Sequence, residues 1–278
     1  MTPGAPWVFK GPPSVDGTCT FAARMHHVEN GHGIPLVLLH GFPFDHTLWL
    51  PQLEELTDAA RMIAPDLRGF GGSHGVPEVM TMEDHARDVN ALLGHLGIER
   101  AVVCGLSMGG YIALAFAELF PEAMRGLILC NTRAVPDGPQ ARKGRYATAK
   151  RAMEQGVGGI ADSMTPRLIA RASADRHPDL VHFVHALIAH QPAEAVAASA
   201  RGMAVRPDRS PLLSTITVPT LIITGSADDL IPPCDSEAMA RAIPGSVLVT
   251  LPGVGHLTNL EDPEGFNAAV RGVLEQVA

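Results

Sequence analysis

Two hydrophobic spacings alternate along the chain. Short unbroken apolar runs, at residues 34–39, 61–65, 101–106, 126–130, 218–224 and 246–251, have the length and the β-branched content of strands buried on both faces. Between them the apolar positions fall three or four apart. In 80–97, Met82, Ala86, Val89, Leu92, Leu93 and Leu96 share one helical face, with Thr81 placed to cap the start and Gly97 to stop the end. Residues 45–60, 111–120, 232–243 and 263–277 read as further helices. Such alternation of strand and helix predicts an α/β fold, a mostly parallel sheet covered on both faces. One interval breaks the rhythm: residues 133–212 hold helical stretches, such as 141–155 and 179–189, and no strand-like run. The chain is therefore expected to form one core domain from 1–132 and 213–278, with 133–212 inserted as a helical cap. At the N-terminus, residues 1–17 carry four prolines and three glycines and read as an irregular arm, and a strand is expected over 21–29.

Composition narrows the class. At 278 residues, 46% hydrophobic and only 18% charged, the chain can bury a large core. Its net charge of −8 lacks the basic footprint of a nucleic-acid binder. Of the four cysteines, Cys104 and Cys130 sit in apolar runs, and Cys19 and Cys234 lie among prolines and glycines; this suits reduced thiols better than a disulfide framework. No apolar segment approaches a membrane span, and no signal-peptide pattern opens the chain. The expectation is a cytoplasmic protein with neither membrane nor nucleic-acid partner, and the sequence is equally compatible with a monomer and a homo-oligomer.

Chemistry concentrates at the ends of the apolar runs. Gly105-Leu106-Ser107-Met108-Gly109 has the form G-x-S-x-G: a strand, a glycine-flanked serine, then an Ala/Leu-rich helix. Small residues two before and two after the serine allow a sharp turn that exposes the hydroxyl. A serine nucleophile needs a base, and the base an orienting acid. Both appear after later strands: Asp228 or its neighbour Asp229 in Gly225-Ser226-Ala227-Asp228-Asp229, and His256 in Leu251-Pro252-Gly253-Val254-Gly255-His256.

These segments, with His40-Gly41, the loop 66–73, and Glu261-Asp262-Pro263, occur in the order seen in α/β-hydrolases, and the chain resembles that superfamily over 34–277. The resemblance implies the α/β-hydrolase fold and a serine hydrolase using Ser107, His256 and Asp228, the acid lying three residues beyond Gly225. It further implies an oxyanion hole made by the backbone N–H groups of Phe42 and Met108. His40, Gly41, Trp49, Asn131, Leu230 and Leu257 flank the strand ends and are candidates for the pocket wall. Within the superfamily the chain looks most like small carboxylesterases, cofactor-free perhydrolases and 3-oxoadipate enol-lactonases. Some relatives carry their acid where Asn131 stands here. A serine nucleophile argues against the dehalogenase and epoxide-hydrolase branches. Cleavage of a carboxylic ester or lactone, with no cofactor and no metal, is the expected activity; a perhydrolase, a carbon–carbon hydrolase and a non-catalytic ligand receptor are the alternatives.

Other features have plainer readings. His182, His185 and His190 share a helical stretch and are read as its polar face rather than as metal ligands. His40 and His46 are expected to serve in structural hydrogen bonds. Residues 133–212 hold twelve Lys and Arg against seven Asp and Glu, although the whole chain is acidic. That excess either solvates exposed helices or steers anionic substrates toward the cleft.

Overall fold

The apolar runs lie side by side as one seven-stranded sheet. The computed structural model describes residues 25–278. Its strands are β1 (His27–Asn30), β2 (Pro35–Leu39), β3 (Arg61–Pro65), β4 (Ala101–Leu106), β5 (Met124–Cys130), β6 (Thr220–Gly225) and β7 (Val247–Leu251), in the order β1-β3-β2-β4-β5-β6-β7. Every pairing is parallel except β1 with β3. Leu36 to Leu39 and all six residues of β4 are buried, so these central strands are apolar on both faces, as helices above and below require. From β2 the chain passes outward to β3 and then back across to β4 on the other side. The carboxyl ends of β2 and β4 therefore border a switch point, where α/β sheets open a crevice.

The helices follow from local chemistry. α1 (Leu50–Glu55) is much shorter than the helix expected over 45–60, because Asp45 caps a 3-10 turn at His46–Trp49 and Pro51, lacking an N–H, must sit in the first turn of a new helix. α2 (Met82–His95) begins with a capping box: Thr81 accepts from the Asp84 amide while the Asp84 side chain accepts from the Thr81 amide. α3 (Met108–Leu119) follows β4 directly and is almost entirely buried. Between β5 and β6 lie α4 (Pro139–Gln155), α5 (Gly158–Leu168), α6 (Arg171–Arg176), α7 (Pro178–Ala189) and α8 (Ala193–Ala204). α9 (Pro233–Ala242), the single-turn α10 (Thr258–Glu261) and α11 (Pro263–Gln276) complete the chain. The arm expected over 1–17, Cys19 and residues 21–24 of the strand expected over 21–29 fall outside the described residues, and the last three positions of that strand lie in β1. None of the described helices is long and apolar enough to cross a membrane.

The helices between β5 and β6 are fastened to the sheet domain. α8 is rich in alanine and approaches so closely that the Met80 amide donates to the Ala198 carbonyl at 3.1 Å, and a Cβ at Gly202 would overlap the Met80 carbonyl. The arginines of this region face core acids: Arg209 pairs with Glu83 and Glu118, Arg201 with Glu78 and Arg133 with Asp235. Arg206 and Arg145 converge on Asp137, and Arg206 also lies over the Tyr111 ring, 4.1 Å from its centroid. Three of the twelve cations of 133–212 are thus paired with acids outside the segment, and two more share Asp137 within it.

Candidate active site

Ser107 stands at the C-terminal end of β4 with φ 56° and ψ −112°, a conformation that costs a non-glycine residue on the order of 1–3 kcal/mol and must be held by its surroundings. They hold it through its backbone. Ser107 N–H donates to the Cys130 carbonyl on β5 at 2.9 Å, and the Ser107 carbonyl accepts from Gly110 N–H, Tyr111 N–H and the Thr132 hydroxyl. A Cβ at Gly105 would overlap the Gly109 carbonyl, and one at Gly109 the Leu39 carbonyl on β2. The two glycines of the motif are therefore where three chain segments touch. With its backbone pinned, Ser107 is half-buried at the carboxyl end of β4, beside the switch point.

The loops after β6 and β7 bring Asp228 and His256 together. His256 Nδ1 lies 2.8 Å from Asp228 Oδ2, with both side chains excluded from solvent. Asp228 Oδ1 accepts from the amides of Leu230 (2.9 Å) and Ile231 (3.0 Å), while Oδ2 also accepts from the Asn131 amide at 2.9 Å. Burial alone would raise the Asp228 pKa. The charge and hydrogen bond of His256, with the Ile231 and Asn131 donors, outweigh burial and hold it below the usual carboxylate range. An ionised Asp228 takes its hydrogen from Nδ1, which leaves Nε2 of a neutral His256 with a free lone pair. Asp229, the alternative acid in the sequence, is exposed and makes no contact with His256.

At the end of β2, Phe44 N–H closes a turn onto the Gly41 carbonyl. The amides of Phe42 and Met108 carry no hydrogen bond to any described residue, and Met108 opens a twelve-residue helix whose dipole favours negative charge there. His40 is fully buried and stabilises this turn: Nε2 accepts from Leu67 N–H at 3.0 Å, and Nδ1 donates to the Gly41 carbonyl at 2.9 Å. Burial lowers its pKa, in keeping with a neutral imidazole. Of the other residues considered for the pocket wall, Gly41 lies in this buried turn against Leu106 and Leu230 is half-buried beside Asp228. Trp49 and Leu257 belong to the apolar core, Trp49 packed on Phe266 at 5.9 Å. Asn131 is also fully buried, with φ 46°. Its amide donates to Asp228 and to the Gly255 carbonyl, and its oxygen accepts from the Thr258 hydroxyl at 2.7 Å. It therefore supports the acid. The signal was an asparagine at a strand end where some relatives carry the acid itself.

One trio among the described residues has donor atoms close enough to share a metal ion: His26, His46 and Asp66. Asp66 is fully buried, and its oxygens already accept four hydrogen bonds, from His26 Nδ1, His46 Nδ1 and the amides of His46 and Gly72 at 2.7–2.8 Å. A metal would have to displace imidazole hydrogens from a saturated carboxylate, so the cluster reads as a latch joining β1, the turn after β2 and the loop 66–73. Burial would raise the Asp66 pKa, but the two histidines override it and hold the group far below its ordinary value. Because the folded pKa is depressed, its stabilisation is present above the unfolded value near 4 and is lost as pH falls below it. Asp66→Asn should therefore lower unfolding free energy at pH 7 by about 2 kcal/mol or more, and urea titrations at pH 3 should show the gap to wild type narrowing. On α7 and at its C-terminal cap, the three histidines are engaged separately: His182 with the Pro178 carbonyl, His185 with Asp162 and His190 with the Ala186 carbonyl.

Comparison with known proteins places this geometry. 3-Oxoadipate enol-lactonase 2 of Acinetobacter baylyi is 31% identical over 230 residues, covering 83% of this chain and 84% of that protein. Among solved structures, a malate-bound thermophilic esterase from Thermogutta terrifontis superposes with a TM-score of 0.89 at 46% identity, over 91% of this chain and 93% of that one. The enol-lactonase from Burkholderia xenovorans LB400 gives 0.84 at 29% identity, over 90% and 96%. The model of the alpha/beta hydrolase family matches residues 36–269, and with the sheet order and the strained serine turn this makes the chain a member of that family.

Proposed function

We propose that the protein is a serine hydrolase of carboxylic esters or lactones, acting through an acyl-enzyme with Ser107 as nucleophile, His256 as base and Asp228 as orienting acid. The observation that carries this reading is the buried Asp228–His256 pair, whose Nδ1–Oδ2 contact leaves Nε2 as the ring nitrogen available to act as base, with Ser107 held strained at the carboxyl end of β4, two strands from β6 in the same sheet. In the first half-reaction Ser107 Oγ attacks the carbonyl carbon as Nε2 takes its proton. The oxyanion is met by the amides of Phe42 and Met108, which carry no other hydrogen bond. Collapse breaks the ester carbon–oxygen bond, and Nε2 returns the proton to the departing alkoxide. In a lactone that alkoxide remains tethered to the acyl group. Water, activated by the same imidazole, then releases the acid and restores Ser107. The segment 133–212 acts as the cap that shapes the acyl and leaving-group side.

The similarity to proteins named as enol-lactonases favours a second reading within this chemistry, hydrolysis of an enol-lactone that itself bears a carboxylate. The engagement of Arg201, Arg206 and Arg209 with acids of the protein takes three of the twelve cations of 133–212 out of any long-range steering. The test of the main reading is a stopped-flow burst with p-nitrophenyl acetate. Release of about one nitrophenolate per Ser107 before the steady state supports the acyl-enzyme, and failure of a fluorophosphonate to label Ser107 overturns it. A panel of esters and lactones with and without a carboxylate then separates the two readings.

A further inference from the structure

His256 does not reach its position by the bond to Asp228 alone. Its own amide donates to the carbonyl of Leu168, the last residue of α5, at 3.1 Å. Two residues on, the Ala170 amide donates to Glu261 Oε2 at 3.0 Å. The amide of Gly255, immediately before His256, donates to the same carboxylate at 3.1 Å from each oxygen. Glu261 thus bridges two backbone segments that approach so closely that a side chain at Gly255 would collide with the Ala170 amide. The carboxylate makes no ion pair among the described residues, and burial raises its pKa. A half-buried acid with no ion-pair partner among the described residues, whose oxygens meet the Gly255 and Ala170 amides and the Ser173 hydroxyl, is costly unless those donors need it.

We infer that Glu261 is a positioning residue for His256, clamping the loop that carries the base to residues 168–170 of the segment between β5 and β6, so that base and cap move as one unit. This rests on His256 being the base, as proposed above. Glu261 touches neither the substrate nor the reacting atoms; its effect passes through Gly255 and the Leu168 carbonyl. A glutamine there keeps one acceptor oxygen, which in the Oε2 place still reaches Ala170, but its N–H in the Oε1 place is turned onto the Gly255 amide, so the Gly255 side of the clamp is weakened. Since small misplacements of a catalytic group can cost up to about a hundredfold, Glu261→Gln should lower kcat for p-nitrophenyl acetate and the rate of fluorophosphonate labelling of Ser107 together. The expected loss in both is about ten- to a hundredfold, with KM changed by less than about threefold because substrate contacts are untouched.

Hydrogen exchange supplies a readout independent of turnover: the Gly255 amide should exchange faster in Glu261→Gln, and those of β4 should not. Wild-type kcat and labelling in a variant whose Tm falls would make Glu261 merely structural, and unchanged exchange at Gly255 would remove the clamp itself. If wild type is not labelled at all, the hydrolase reading fails while the exchange experiment still decides the clamp. Glu261→Asp, shorter by one methylene and unable to span both amides, carries the same test if the glutamine variant does not fold, and wild-type exchange and labelling in it would likewise overturn the proposal.

Discussion

Ser107→Ala is expected to fold as the wild type does and to lose at least about three orders of magnitude in ester hydrolysis, because members of a nucleophile–base–acid unit act together and the remaining groups supply only binding and oxyanion stabilisation. Folding should survive because the elbow is held by backbone bonds, from Ser107 N–H to Cys130 and from three donors onto the Ser107 carbonyl, none of which uses the hydroxyl. An alanine at φ 56° retains the strain without adding to it. Steady-state kinetics with a nitrophenyl ester, alongside thermal unfolding, measure both halves. Retention of more than a tenth of wild-type kcat would remove Ser107 from the nucleophile role.

The second large effect separates two adjacent acids. Asp228→Asn should lower kcat by about 10³–10⁴-fold, as loss of the orienting carboxylate does elsewhere, while Asp229→Asn stays within about twofold, as exposed substitutions away from the site do. At position 228 an amide can accept from His256 Nδ1 only through one atom. That atom would also have to serve the Asn131 amide, whose nitrogen already donates to the same oxygen. With the oxygen kept there, the amide N–H is turned onto the Leu230 and Ile231 amides that Oδ1 serves; with it turned away, His256 and Asn131 both face an N–H, and in either case the imidazole loses its charge partner. Equal activity of the two variants would mean that the Asp228–His256 contact has no catalytic part.

Much of this was legible along the chain. The unbroken apolar runs gave β2, β4, β5 and β6 because strands covered on both faces have no polar side to show, and the capping signals bounded α2 because Thr81 and Asp84 interact within one turn. The serine turn was readable for the same reason: its requirement for glycine is local. Helix limits over 45–60 were misjudged because a capping Asp45 and the missing N–H of Pro51 divide a periodic stretch into two short pieces. Trp49 shows the limit of proximity in sequence. Close to the candidate oxyanion turn along the chain, it points into the core against Phe266.

By itself, then, the sequence determined the fold class, the serine turn and the two loops from which an acid and a base could come, all of which depend on periodicity or on residues within a few positions of one another. Only the tertiary structure decided that Asp228 rather than Asp229 faces His256, that Asn131 and Thr258 brace that acid, that Arg133, Arg201 and Arg209 meet acids outside 133–212, and that Glu261 joins the His256 loop to residues 168–170. The physical reason is the same in each case. A hydrogen bond or ion pair is made over about 3 Å in space, these partners lie up to 127 residues apart in the chain, and no periodicity carries the direction in which a side chain leaves a loop.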